Sequence, residues 1–150
     1  MPRKTATTKR AGAAKPAAKK AARPRKQKVV APPAELTAWQ VAVQAAESKK
    51  AENIRVLDLQ GLTSFTDYLV LLTGNNPRQV QAIADEVELQ LKNFGERPKS
   101  VEGYKNAEWV LLDYGDYVVN VFSEQARAYY DLDRLWQDAA EVRNTEEPAL

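Results

Sequence analysis

The sequence predicts an α/β (α+β) domain, a single mixed β-sheet covered by helices, behind a disordered N-terminal tail. Three observations carry this prediction. Over residues 36–140 the apolar positions alternate between helical spacing and short strand-like runs, in the order helix, strand, strand, helix, then further strands and a helix. Charge is segregated along the chain. Residues 1–28 hold eleven Lys or Arg and no acid, which leaves the other eleven of the 22 basic residues against all 20 acids, a net of −9 for residues 29–150. The length of 150 residues allows one self-sufficient core plus an extension.

Residues 1–35 are dominated by Ala, Lys and Pro, with Pro16, Pro24, Pro32 and Pro33 as breakers. Such a stretch buries too little apolar surface to offset its ordering entropy, so it reads as a disordered basic tail and linker. The folded domain spans 36–140. Thr37 is placed to cap a first helix with Trp39, Ala42, Val43 and Ala46 on one face, ending near Ser48-Lys49-Lys50. Ile54–Leu59 reads as a buried strand bounded by Gly61, and Asp67–Thr73 as a second, ended by Gly74-Asn75. Asn76-Pro77 is a cap followed by Pro at the first helical position. Val80, Ile83, Ala84, Val87, Leu91 and Phe94 then recur at helical spacing up to Gly95. Ser100–Gly103 forms a short strand or loop. Trp109–Asp113 and Asp116–Phe122 form a hairpin about Tyr114-Gly115. Ser123 caps a last helical segment, with Ala126, Tyr129, Tyr130, Leu132, Leu135 and Trp136 as its apolar positions, and residues 141–150 are a frayed C-terminus.

Composition excludes several chemistries. The chain has no Cys and no His, so disulfides, Cys/His zinc sites and His- or Cys-dependent catalysis are ruled out. The longest apolar stretch is Tyr68–Leu72, whereas a spanning helix needs ~20 residues. No apolar stretch follows the basic N-terminus, which argues against a secretory signal. An acid-free tail rich in Arg, Ala and Thr raises a mitochondrial transit peptide, but residues 1–28 hold no Leu, Ile, Phe or Trp for an apolar helix face.

The element order resembles the two-metal nucleotidyl transferases, whose chemistry needs two carboxylates two residues apart on one strand. The only Asp-x-Asp here is Asp131-Leu132-Asp133, in a predicted helix, and no Gly-Ser dipeptide is present. No Gly-rich phosphate loop occurs either. Gly74-Asn75-Asn76-Pro77 could hold an anion at a helix start, but ordinary loop and cap chemistry accounts for it. The chain is therefore read as a non-enzyme, with no cofactor and no metal.

The residues that read as a contact surface are Glu102, Tyr104, Trp109, Leu111, Asp113, Tyr114 and Asp116. Strand alternation puts Trp109, Leu111 and Asp113 on one face. A tryptophan rimmed by carboxylates has the composition of an interaction hot spot, although a core tryptophan beneath the last helix fits the spacing equally well.

At these residues the chain resembles the ribosomal silencing factor (Iojap) family over about residues 37–138. The matching blocks are Val56–Leu62, Thr66–Val70, Thr73-Gly74, Arg78–Val80 with Ile83–Asp85, Val101–Gly103, Trp109–Asp116, Val118–Phe122 and Tyr130–Trp136. The resemblance implies a nucleotidyl-transferase-like fold without its catalytic carboxylates. It also implies binding to the large ribosomal subunit through large-subunit ribosomal protein fourteen, which obstructs joining of the small subunit and lowers translation when nutrients are scarce. The contact surface implied is Trp109, Asp113 and their neighbours. Family members are often dimeric, so a homodimer stays open. A bacterial cytoplasmic location is expected, with mitochondrion or plastid as the alternative. Asn120 stands where the family often has His, and a structural exchange is expected there. The basic tail lies outside the resemblance. Lys19, Lys20, Arg23, Arg25 and Lys26 are its candidate ribosomal RNA contacts, with a solvated tail the other reading. A nucleic-acid-binding protein acting through this tail is the rival function.

Overall fold

The computed structural model describes residues 36–144. The predicted tail, its RNA-contact candidates and the last six residues lie outside that range.

The element order matches the prediction as far as Ser123. Helix α1 (Ala38–Ser48) is followed by β1 (Glu52–Asp58), β2 (Tyr68–Gly74), α2 (Pro77–Phe94), β3 (Ser100–Glu102), β4 (Trp109–Asp113) and β5 (Tyr117–Ser123). The chain continues through α3 (Glu124–Tyr130), α4 (Leu132–Leu135) and β6 (Ala140–Asn144). The six strands form one sheet in the order β3-β4-β5-β2-β1-β6. Only the central β2–β5 pair is parallel. Those two strands are covered on both faces, which is why Leu69–Leu72 reads as a continuous apolar run and Val118–Phe122 as one interrupted only by Asn120.

Each face of the sheet has its own apolar layer. Beneath α1 and α2, Ile54, Val56, Val70, Leu72, Val110, Leu112, Val119 and Val121 meet Ala42, Ala46, Val80, Ile83 and Val87. On the other face, Leu57, Leu69, Leu71, Val118 and Phe122 meet Ala126, with Leu132 and Trp136 packed against them. Helix α2 begins and ends as its sequence predicts. Asn76 Oδ1 accepts the Gln79 N–H at 2.8 Å, and Gly95 closes the helix at φ 106°. Gly74 serves packing as well as strand ending, because a Cβ there would stand 2.9 Å from Val80 Cγ2.

Two expectations change at the C-terminal end. The last helical segment is two helices, broken at Asp131, which adopts a left-handed conformation at φ 51°. Aspartate tolerates this turn better than most residues. Ser123 does cap α3, its Oγ accepting the Ala126 N–H at 3.1 Å. Beyond α4 the chain is paired rather than frayed, since β6 runs antiparallel to β1 through Asn144. Arg55 on β1 supplies a physical reason, holding Glu141 of β6 by two hydrogen bonds of 3.0 and 2.8 Å.

Candidate docking face

Strand β4 lies between the short edge strand β3 and the central β5, and its alternation decides what is offered outward. Val110 and Leu112 point into the layer beneath α1 and α2. Trp109, Leu111 and Asp113 share the opposite face and are half-buried there. Cross-strand register puts Phe122 opposite Trp109, Asn120 opposite Leu111 and Val118 opposite Asp113. Glu102 of β3, exposed, stands opposite Leu111 on the outer side.

Trp109 is the centre of this face and is held on several sides. Its ring lies 5.2 Å from that of Phe122 and 4.7 Å from that of Tyr130 at the end of α3. Its Nε1–H donates to Asn120 Oδ1 at 2.9 Å. Asn120 is buried, and its Nδ2 lies 3.4 Å from the Val70 and Val118 carbonyls. Asn120 thus has a definite structural role, fixing the indole from below. From the edge, Gly103 at φ 81° comes so close that a Cβ would stand 2.0 Å from the Trp109 carbonyl oxygen. This explains the glycine after Val101-Glu102. Asp113 accepts the Gly115 N–H at 2.8 Å and so also closes the β4–β5 turn, where Asp116 is exposed.

Two predicted contact residues lie elsewhere. Tyr114 is buried beneath α2, stacked on Tyr117 with centroids 4.8 Å apart. Burial pushes its phenol above the usual tyrosine range, and its hydroxyl has no partner among the described residues. It follows β4 on the core side, where a turn tyrosine can fold under a helix. Tyr104 turns toward α2, where its hydroxyl donates to Asp85 Oδ2 at 3.0 Å. That hydrogen bond raises its pKa.

The residues missed are on α3. Tyr129 and Tyr130 both count among the apolar positions of the last helical segment, but adjacent helical residues point about 100° apart. Tyr130 packs on Trp109, while Tyr129 is 80% exposed and meets Tyr130 edge-on at 5.0 Å. Leu135, another of those apolar positions, is exposed.

Helix α3 is anchored by an ion network under the same face. Buried Arg127 donates from Nε and Nη2 to Asp133 at 2.8 and 3.0 Å, and from Nη1 to the Asn53 carbonyl and Thr73 Oγ1, both at 2.8 Å. Arg55 Nη1 reaches Asp133 Oδ2 at 2.7 Å. Partial burial would raise the Asp133 pKa, but hydrogen bonds from Arg127 and Arg55 outweigh it and hold the carboxyl at about 2. The lone Asp-x-Asp is therefore split. Asp131 sits in the helix break and Asp133 is occupied by two guanidinium groups. Among the described residues no three His, Cys, Asp or Glu side chains are grouped to hold a metal. No helix among them is long and apolar enough to cross a membrane.

Fold and face together define an α+β domain with one helix-covered sheet face and, on the other, an aromatic cluster left partly open. A model of the family described as ribosomal silencing factor during starvation matches residues 32–149, and the chain belongs to that family. The chain is 45% identical over 103 residues to the ribosomal silencing factor RsfS of Halalkalibacterium halodurans, covering 69% of this chain and 88% of that one. It is 44% identical over 99 residues to RsfS of Bacillus subtilis, covering 66% and 84%. Among solved structures, a Chromobacterium violaceum protein superposes with a TM-score of 0.65 at 39% identity, over 67% of this chain and 83% of that one.

Proposed function

We propose that this protein represses translation by docking on the large ribosomal subunit and sterically blocking its association with the small subunit under nutrient limitation. Trp109, Leu111, Asp113, Glu102 and Asp116 form the contact face, and large-subunit ribosomal protein fourteen is the landing site. The observation that carries this reading is the Trp109 cluster, which is locked from below by Asn120 and Phe122 yet half open above. A rigid, partly exposed aromatic anchor with a carboxylate rim is how interaction energy is concentrated at protein interfaces. The net of −9 over residues 29–150 steers such a face toward basic ribosomal protein and away from bare RNA. The mechanism needs occupancy of a joining surface and no bond chemistry. That agrees with an Asp-x-Asp whose Asp133 is held by two arginines and whose Asp131 sits in a helix break. Tyr114 leaves the contact set as a core residue, and Tyr104 acts by fastening its loop to α2.

In this reading the acid-free tail adds contacts to ribosomal RNA through Lys19, Lys20, Arg23, Arg25 and Lys26, and the protein works in the bacterial cytoplasm. Co-sedimentation of the full chain with isolated large and small subunits tests the assignment. Selective pelleting with the large subunit is expected, reduced at least tenfold by Trp109→Ala or Asp113→Lys, since a desolvated anchor contributes roughly 2 kcal/mol or more. Unchanged pelleting by both variants, lost instead on neutralising the tail lysines and arginines, would move the function to nucleic-acid binding by the tail.

A further inference from the structure

We propose that Tyr129 and Tyr130 extend the docking face as a second subsite, taking an arginine side chain of the basic protein partner against the Tyr129 ring. The inference rests on the docking reading above and names residues and a partner chemistry beyond it. Three aromatic rings run outward in series. Trp109 contacts Tyr130 at 4.7 Å, and Tyr130 contacts Tyr129 at 5.0 Å with the planes at 89°. Tyr130 is 46% and Tyr129 80% exposed, so the outermost ring contributes almost nothing to the core.

What this series presents is π surface. The Trp109 N–H is consumed by Asn120, leaving ring faces and edges to be read. The face of an aromatic ring is electronegative and attracts a cation stacked on it, arginine most often. The protein supplies no such cation from α3 itself. The only basic residue of Glu124–Tyr130 is Arg127, which is buried and bound to Asp133, while Glu124 and Gln125 are exposed. An RNA base could also stack on Tyr129, but it would bring its phosphates to a segment, residues 29–150, with a net of −9. The arrangement therefore favours a guanidinium from protein over a base from RNA.

Binding of the full chain to isolated large subunits tests this, with Tyr129→Leu, Tyr129→Phe and Trp109→Ala as variants. Leucine keeps apolar bulk and removes the π face, so Tyr129→Leu is expected to weaken binding about fivefold, while Tyr129→Phe stays within about twofold of the parent. Because Tyr129 is exposed, both should keep the parent's circular dichroism and urea midpoint. Parental affinity for Tyr129→Leu, with Trp109→Ala still deficient, would overturn the subsite and leave the docking face standing. Parental affinity for Trp109→Ala would overturn both. Tyr129-dependent binding to protein-free large-subunit RNA would overturn the arginine assignment in favour of a stacked base.

Discussion

Removing the Asp133 carboxylate should cost the protein a large fraction of its stability, and the size can be worked out in two ways. Asp133 receives three charge-assisted hydrogen bonds, two from buried Arg127 and one from Arg55, which joins β1, α3 and α4. A carboxyl held at about 2, against an ordinary value of 3.8, corresponds to roughly 2 kcal/mol of native-state preference for the charged form. Deleting one partner of a buried pair typically costs ~3–5 kcal/mol, because the remaining charge is stranded. Arg127 is only 6% exposed and would be stranded in this way. Asp133→Asn should therefore lose roughly 2 kcal/mol and Asp133→Ala ~3 kcal/mol, lowering the melting temperature by roughly 10–20 °C. Equilibrium urea unfolding at pH 7 measures this directly. The pH dependence follows from the depressed pKa. The stabilisation is fully present above the unfolded value near 4 and is lost as pH falls through about 2. The parent's urea midpoint should fall across that window more steeply than that of Asp133→Asn. A loss under ~0.5 kcal/mol at pH 7, or superimposable acid limbs, would refute the hub.

Two further substitutions test particular contacts. Gly103→Ala should destabilise by roughly 2 kcal/mol or more and weaken large-subunit binding, since it puts a Cβ 2.0 Å from the Trp109 carbonyl at φ 81°. Thermal melts and co-sedimentation read the two effects, and a parental result in both would show that β3 yields without moving Trp109. Tyr114→Phe should be neutral or stabilising by up to ~1 kcal/mol, because it removes a buried hydroxyl that has no partner. A loss above ~1 kcal/mol in urea unfolding would mean that this hydroxyl is satisfied in solution.

Where the sequence was legible, local chemistry and burial agreed. Helix α2 could be bounded because Asn76, Pro77 and Gly95 act through their own backbone, and its stripe from Val80 to Leu91 meets the sheet as spaced. Trp109, Leu111 and Asp113 fell on one face because strand alternation is strictly geometric. The C-terminal end was harder to read, since its order depends on contacts distant in sequence. Arg55 meets Asp133 and Glu141, and Arg127 meets Asn53 and Thr73, only after the sheet assembles, and no local pattern in residues 124–144 announces a paired strand. Tyr114 was misplaced because a turn tyrosine beside carboxylates reads as surface, while the fold swings it beneath α2.

The most direct test of the central claim is formation of the joined ribosome from purified large and small subunits, followed by light scattering while the full chain is titrated in. The account predicts that joining falls as the chain saturates the large subunit, and that Trp109→Ala shifts the titration at least tenfold to higher concentration. Full joining with the chain demonstrably bound to the large subunit would contradict steric blocking.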